Sequence, residues 1–333
     1  MPFPTEETTP PVTKMYLAIP ALPIVGETSA DSLLYPPPPR GVEPRTGTPR
    51  QVSEDRGVSC SYDPTLFRGA AVYYLRGRPS YAYALPGFLA RESNLARRCA
   101  LDVGCGPGRL TVDLAMYAAE VVGLDPDGEM LAEAVRYAEE RRVRNVRWVQ
   151  GTAEEILPLG LGRFALVTLA QSFHWTDREA VAEVVYDLLE PGGVLALIGH
   201  EVDARPRPAG PGAPSIPHEA IQALLDRYLG PERRAGQGLR DIPAERHEEV
   251  LARTRFGRPE AIYLEGRADL VQSVDDVLAN VYSMSYAAPW LFGGHLAAFD
   301  ADLRAVLTSI SPAGTFWDWP GDTEVLLARR PVS

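Results

Sequence analysis

A glycine-rich turn gives the clearest chemical signal in the sequence. An apolar run precedes it, and Gly104, Gly106 and Gly108 then follow at every second position. The run is typical of the end of a buried strand, and residues 109–114 have the apolar spacing of a helix. Glycines at such a strand-to-helix turn let a ligand approach the backbone N–H groups closely, because no Cβ stands in the way.

Two carboxylates accompany this turn. Asp102 lies two residues before Gly104, and Asp125 ends the next apolar segment, 17 positions after Gly108 (125 − 108). An acid at the tip of the next parallel strand can accept hydrogen bonds from both hydroxyls of a ribose. Asp125 could also cap the helix that starts near Gly128, and the two roles are compatible.

The form of the turn distinguishes two cofactor classes. A dinucleotide fingerprint requires Gly-x-Gly-x-x-Gly, and Arg109 occupies the position of its third glycine. A bulky cation there would obstruct the close helix–strand packing of a dinucleotide-binding fold. The Gly-x-Gly-x-Gly form preceded by an acid instead resembles the class I S-adenosylmethionine-dependent methyltransferases.

This resemblance implies S-adenosyl-L-methionine as the cofactor and S-adenosyl-L-homocysteine as the product. It implies that Asp102 serves the amine of the methionine part, and that Tyr74 and Arg78 close over its carboxylate end. An arginine suits that place because its guanidinium fork can bind a carboxylate bidentately. The alternative is a surface cation beside a core tyrosine. The implied cofactor-binding residues are Tyr74, Arg78, Asp102, Gly104, Cys105, Gly106, Gly108, Asp125, Pro126, Met130, Thr152, Ala153, Glu154 and Gln171.

Two further segments narrow the resemblance. Residues 151–154 and 170–175 together resemble the trans-aconitate methyltransferase-like branch, although Thr152 stands where many members have aspartate. His174 is the candidate catalytic residue, because histidine titrates near neutrality and could take a proton from the methyl acceptor. The alternative is that its imidazole only packs against Trp175 or bonds the backbone.

An aromatic cluster near the C-terminal third is the candidate acceptor site. Its members are Tyr282, Tyr286, Trp290 and Phe292. The segment that carries them should cover the cleft, so that some of them would line a mostly apolar pocket for a small organic molecule. Ordinary core packing is the alternative interpretation of the same residues.

The function that these features favour is transfer of a methyl group, by in-line displacement, from S-adenosylmethionine to a small organic molecule. A bacterial secondary metabolite and a small carboxylic acid are the acceptor classes that the resemblance suggests. The alternative is a non-catalytic S-adenosylmethionine-binding scaffold or interaction protein. A nucleic-acid methyltransferase is disfavoured because residues 170–173 read Ala-Gln-Ser-Phe rather than Asn/Asp-Pro-Pro-Tyr.

The alternation of apolar strands and amphipathic helices predicts an α/β fold. The resemblance implies a Rossmann-like, doubly wound, seven-stranded, mostly parallel sheet with an antiparallel last strand and a helical cover segment. We expect a disordered or extended proline-rich arm over residues 1–60 and the methyltransferase domain over residues 61–333, with a substrate-cover insertion at 203–295. Gly314 to Trp319 and Thr323 to Ala328 are expected to form the closing hairpin.

Composition limits the possible partners and compartment. A net charge of −11 argues against electrostatic binding of nucleic acid. The three cysteines show no metal-ligand spacing and no disulfide framework, which favours the reducing cytoplasm and predicts no metal. Pro20 and Pro23 interrupt the apolar run from Met15 to Val25, so we expect no signal peptide and no membrane anchor. A monomer and a homodimer both remain open.

Overall fold

The computed structural model describes residues 15–16, 63, 65–232, 234–235, 238–239 and 245–332. The prediction for the arm over residues 1–60 therefore lies outside the described residues, apart from the two-residue strand Met15–Tyr16.

The main sheet contains seven long strands, which we label in chain order. They are β1 (Cys99–Val103), β2 (Glu120–Asp125), β3 (Val146–Gln150), β4 (Phe164–Ala170), β5 (Leu189–Glu201), β6 (Glu260–Leu264) and β7 (Asp322–Arg329). Their spatial order is β6-β7-β5-β4-β1-β2-β3, with Met15–Tyr16 beside β6. β7 runs antiparallel to both β5 and β6, whereas the other pairings among the seven are parallel. The predicted fold class is confirmed.

Helices flank the sheet on both faces. They are α1 (Ala71–Gly77), α2 (Leu85–Glu92), α3 (Arg109–Leu114), α4 (Gly128–Glu140), α5 (Ile156–Leu159), α6 (Arg178–Leu188), α7 (His218–Leu229), α8 (His247–Ala252), α9 (Val274–Tyr282) and α10 (Leu296–Ile310). The cap of α4 is Asp127, whose carboxylate accepts from the backbone N–H groups of Glu129 and Met130. Asp125 is thereby left at the strand tip.

The core forms two layers because the strands are buried on both faces. Leu101 and Val103 of β1 face the layer of α6 and α8, and Ala100, just before Leu101, faces the layer of α2 and α3. A third apolar cluster holds α7, α9 and α10 together as the helical cover. None of the helices in the described part of the chain is both long and apolar enough to cross a membrane.

The predicted closing hairpin is wrong. Thr315–Trp317 pairs with Val271–Ser273 rather than with β7, because β7 is already bonded to strands on both sides. The predicted substrate-cover insertion at 203–295 contains the sheet strand β6, which pairs with β7. The cap of α6 is Asp177, whose carboxylate accepts from Ala180 N at 3.2 Å.

Candidate active site

The glycine turn between β1 and α3 has the conformation that its sequence requires. Gly104, Gly106 and Gly108 have φ angles of 67°, 54° and 78°, a left-handed region that residues with a side chain rarely adopt. The backbone N–H of Gly106 donates to Asp125 Oδ2 at 2.7 Å, which joins the turn to the tip of β2. The turn is thus held in place from the next strand.

The third glycine has a second role that sequence reasoning missed. A Cβ on Gly108 would lie 2.5 Å from Cη2 of Trp148, and a Cβ on Gly123 would lie 2.5 Å from Cζ3 of the same ring. The indole of Trp148 in β3 therefore occupies space left by two glycines on neighbouring elements. A bulky residue opposite two glycines is the only sequence signal that could have indicated this contact.

Asp102 lies at the floor of the site, just before the turn. Its side chain is 1% exposed, and its carboxylate accepts from Thr111 Oγ1 at 2.6 Å and from Thr168 Oγ1 at 2.7 Å. Burial raises the pKa of Asp102 to about 6, although both threonine hydroxyls act in the opposite direction. The group is therefore a largely desolvated carboxylate at neutral pH.

Arg78 extends from the end of α1 towards the same floor. Its guanidinium lies 5.0 Å from the centre of the Tyr74 ring, and its Nη2 donates to the carbonyl of Ser283 at 2.9 Å. Its buried Nε has no hydrogen-bond partner among the described residues. A buried, unsatisfied guanidinium N–H is costly, so this atom is ready to donate to a bound anion.

Arg109, the residue that disfavours a dinucleotide, is occupied by the protein itself. Its Nη1 donates to Ser80 Oγ at 2.7 Å, and its Nη2 donates to the carbonyl of Leu75. Burial lowers the pKa of its guanidinium. The side chain therefore fixes the segment after α1 and has fewer donors left for a ligand.

These elements surround a cleft of about 640 Å³. Its lining includes the predicted cofactor residues Tyr74, Arg78, Asp102, Gly104, Cys105, Gly106 and Gln171. Burial raises the pKa of the Cys105 thiol well above its ordinary value, so this cysteine is a neutral wall residue rather than a thiolate nucleophile.

The remaining predicted cofactor residues do not line this cleft. Asp125 is 7% exposed, and its two oxygens accept from the backbone N–H groups of Gly106 and Asp127. Burial raises the pKa of Asp125 to about 6. The others lie beside the turn or further along the strand tips: Gly108, Pro126, Met130, Thr152, Ala153 and Glu154.

Local contacts explain several of these positions. Met130 is 2% exposed in the buried face of α4, and Gly108 faces Trp148. Glu154 is exposed and accepts from the backbone N–H of Asp177 at 3.0 Å. Glu154 belongs to the short 3-10 helix over Ala153–Glu155.

The candidate acceptor residues separate into two groups. Tyr286 lines the cleft, as do Met284 and Ser285. Tyr282 and Phe292 are each 3% exposed within the apolar cluster of the cover and are not among the residues that line the cleft. Trp290 is also absent from the cleft lining. Aromatic residues at helical spacing predict core and pocket equally well, which is why the sequence could not separate them.

His174 lies at the rim of the cleft, and its ring is tilted against Trp175 with 4.9 Å between the ring centres. Sequence reasoning missed a second histidine, His200, near the end of β5. Its ring stacks on Tyr81 at 5.0 Å, and burial together with the charges of Arg109 and Arg78 lowers the pKa of His200 to about 4. It is therefore a neutral imidazole in the wall at physiological pH.

Residues 100–193 match the family model described as a methyltransferase domain. This segment runs from β1 into the first part of β5 and so contains the glycine turn and both carboxylates. The wall beyond it, with His200, the cover and β7, lies outside the matched methyltransferase segment.

Curated relatives also match part of the chain. An uncharacterized methyltransferase of Mycobacterium bovis is 39% identical over 150 residues, covering 44% of this chain and 58% of the relative. A probable S-adenosylmethionine-dependent methyltransferase of Saccharomyces cerevisiae is 28% identical over 128 residues, covering 38% of this chain and 44% of the relative. The chain thus spans about half the length of the curated relatives it matches.

Solved structures are also similar. A putative type II methyltransferase from Anaeromyxobacter dehalogenans matches with a TM-score of 0.46 and 21% identity, covering 77% of this chain and 98% of that chain.

The site's own chemistry fits S-adenosylmethionine. The unpartnered Nε of Arg78 suits a carboxylate, the buried carboxylate of Asp102 suits an ammonium group, and the two lie on one cleft. Gly106 leaves the turn uncovered, since a Cβ there would meet no heavy atom of the described chain within 4 Å. Among the described residues, no group of three or more His, Cys, Asp or Glu is placed to hold a metal ion.

Proposed function

We propose that the chain is an S-adenosylmethionine-dependent methyltransferase that acts on a small organic molecule, in the branch that resembles trans-aconitate methyltransferase. The observation that carries the proposal is the cleft in which the glycine turn, the Asp102 carboxylate and the unpartnered Arg78 Nε meet. A cation and an anion that line one cleft with a glycine turn match the zwitterionic methionine part of the cofactor.

In this proposal each residue has a binding role. Arg78 and Tyr74 hold the carboxylate end, and Asp102 holds the ammonium group. Asp125 accepts hydrogen bonds from the ribose hydroxyls. The carboxylate of Asp125 has lone pairs left beyond those that accept from Gly106 N–H, so it can share that bond or release it. Thr152, Ala153 and Glu154 border the adenine, as the resemblance implies.

When bound, S-adenosylmethionine supplies a methyl group that is already activated by the positive charge on sulfur. The chain has to hold the acceptor in line and to exclude water, which orientation and burial can achieve. His174 stays the sequence-based prediction for the group that takes the acceptor's proton. A domain over residues 61–333, location in the cytoplasm and a monomeric or homodimeric state belong to the same proposal.

The test is turnover on a panel of small hydroxyl, amine and carboxylate compounds, with S-adenosylhomocysteine quantified by mass spectrometry. Product formation that depends on both an acceptor and the wild-type cleft supports the enzyme. Binding of S-adenosylhomocysteine without turnover on any compound favours the scaffold interpretation. An Arg76→Gln variant is the matched control, since Arg76 is an exposed arginine of α1 outside the cleft.

A further inference from the structure

A smaller pocket adjoins the cleft and shares part of its lining. Its volume is about 200 Å³, and its apolar floor is formed by Leu169, Phe173, Leu197 and Leu326. An engineered apolar cavity of about 150 Å³ in another protein holds a benzene molecule. The pocket is therefore large enough for a molecule of one ring. Five side chains belong to both cleft and pocket: Gln171, His174, His200, His247 and Glu324.

Gly199 leaves a gap in the wall of this pocket. It lies within β5 and is directly paired with Glu324 of β7. A Cβ on Gly199 would lie 3.7 Å from Gln171 Nε2 and 3.9 Å from Glu324 Oε2. The backbone does not require glycine here, because the φ of Gly199 is not positive. A glycine in a strand without such a need often marks the close approach of a ligand.

The two atoms that border the gap are complementary to a hydroxyl group. Gln171 Nε2 is a donor that can bond to the hydroxyl oxygen, and Glu324 Oε2 is an acceptor for its proton. Gln171 also has a φ of 56°, which is strained for a residue with a side chain. Such strain concentrates at functional sites, so this outlier supports a binding role for the amide.

The charges around the gap disfavour an anionic acceptor. Glu324 is half-buried, bonded to the Tyr263 hydroxyl at 3.1 Å, and burial together with Glu248 and Glu201 raises the pKa of its carboxyl. A carboxylate in the gap would add another negative charge to this group. The exposed cation Arg246 opposes these charges, but it is bonded to Glu248 at 2.7 Å.

The other arginines that line the cleft are also engaged. Arg109 bonds Ser80 and the Leu75 carbonyl, and Arg78 is assigned to the cofactor carboxylate. The wall therefore has little free positive charge for an acid.

We propose that the gap in front of Gly199 holds the hydroxyl group of the methyl acceptor, and that the acceptor is a small uncharged alcohol or phenol rather than a carboxylic acid. This inference rests on the proposed methyltransferase function and specifies its substrate. The acceptor oxygen forms the new O–C bond as the bond from the methyl carbon to sulfur breaks with its electron pair remaining on sulfur. In this inference the O–H proton passes to Glu324 Oε2, which borders the gap, rather than to the sequence-predicted base His174, and later to solvent. A neutral thioether and a neutral methyl ether are left.

The experiment measures binding of phenol and benzoate, two one-ring probes that differ in charge, to protein saturated with S-adenosylhomocysteine. Saturation-transfer NMR should give wild type at least about a tenfold preference for phenol, equivalent to about 1.4 kcal/mol. Gly199→Ala should weaken phenol binding by at least about tenfold because its methyl group fills the gap. Gly294→Ala, the same change at a glycine outside the pocket and also without a positive φ, should leave phenol binding unchanged.

Glu324→Gln keeps the shape of the wall and removes its charge, so benzoate should bind this variant within about threefold of phenol. If Gly199→Ala fails to bind S-adenosylhomocysteine, the ratio of phenol to benzoate binding by Glu324→Gln tests the inference by itself. Equal binding of phenol and benzoate by wild type, or no effect of both substitutions, overturns the inference. Failure of wild type to bind S-adenosylhomocysteine in a calorimetric titration overturns the proposed function itself, so the two failures are distinct.

Discussion

Replacing Asp102 by asparagine should stabilise the protein at neutral pH and weaken cofactor binding. Burial raises the pKa of this carboxyl from 3.8 to about 6, so the folded protein loses stability whenever Asp102 must ionise. Asparagine has nearly the same shape but no charge. The hydroxyls of Thr111 and Thr168 can each donate or accept, so they can reorient to match the amide.

The magnitude follows from the two pKa values. Each pKa unit corresponds to about 1.4 kcal/mol, so a rise of about two units makes the ionised folded state less stable by about 3 kcal/mol. Well below the unfolded-state pKa of 3.8 the carboxyl is protonated in both folded and unfolded chains, and the cost disappears; at about pH 4 most of the cost is already absent. Wild-type stability attributable to this group is therefore greatest in acid and is lost as the pH rises through about 6.

Guanidinium unfolding at about pH 4 and about pH 8 measures this difference. The free energy of unfolding of Asp102→Asn should exceed that of wild type by up to about 3 kcal/mol at the higher pH and by little at the lower pH. Asp203→Asn neutralises an exposed carboxylate and is the control. The affinity of the Asp102→Asn protein for S-adenosylmethionine should fall, because its ammonium group loses an anionic partner. An Asp102→Asn protein that gains no stability at about pH 8 would refute the assigned burial cost.

Three other substitutions test separate parts of the account. Arg78→Lys should weaken S-adenosylhomocysteine binding in calorimetry by at least about tenfold, because lysine lacks the guanidinium fork that binds a carboxylate bidentately. The control Arg76→Lys should leave binding unchanged. Equal effects of the two substitutions would disprove the contact between Arg78 and the cofactor carboxylate. Gly108→Ala should lower the free energy of unfolding by about 1–3 kcal/mol, because the new Cβ would clash with Trp148 and because the φ of residue 108 is positive. An unchanged midpoint of denaturation would contradict this. His200→Gln should reduce the loss of stability as the pH falls from about 6.5 to 4, because in the wild type the unfolded chain binds a proton at His200 in this range and the folded chain does not. Parallel plots of unfolding free energy against pH for the two proteins would contradict this.

Much of the sheet could be predicted because its strands are continuous buried apolar runs. The helix expected over residues 109–114 is α3, and the apolar segment that Asp125 ends is β2. In both cases the pattern is local: the strand is bordered by turn residues, and the helix has apolar residues at helical spacing. The glycine turn was recognisable for the same reason, since its glycines, Asp102 and the strand before them are contiguous.

The part of the site formed by Gly199, His200 and Glu324 could not be predicted, because it is formed by segments that are distant in the sequence. Glu324 reaches Gly199 only through the antiparallel pairing of β7 with β5, and the sequence predicted a hairpin for β7 instead. His200 follows an apolar strand without any motif of its own. From the sequence, Tyr282 and Phe292 could lie in a core or line a pocket. The structure shows both packed in the apolar cluster that includes α10.

The central claim is that this cleft binds S-adenosylmethionine through Arg78 and Asp102. Isothermal titration of the wild-type protein with S-adenosylhomocysteine, repeated with Arg78→Gln, tests it most directly. We predict one molecule bound per chain with a dissociation constant on the order of micromolar or tighter, and a loss of at least about tenfold in the variant. No detectable heat of binding with wild type, or equal affinity of the variant, would contradict the claim.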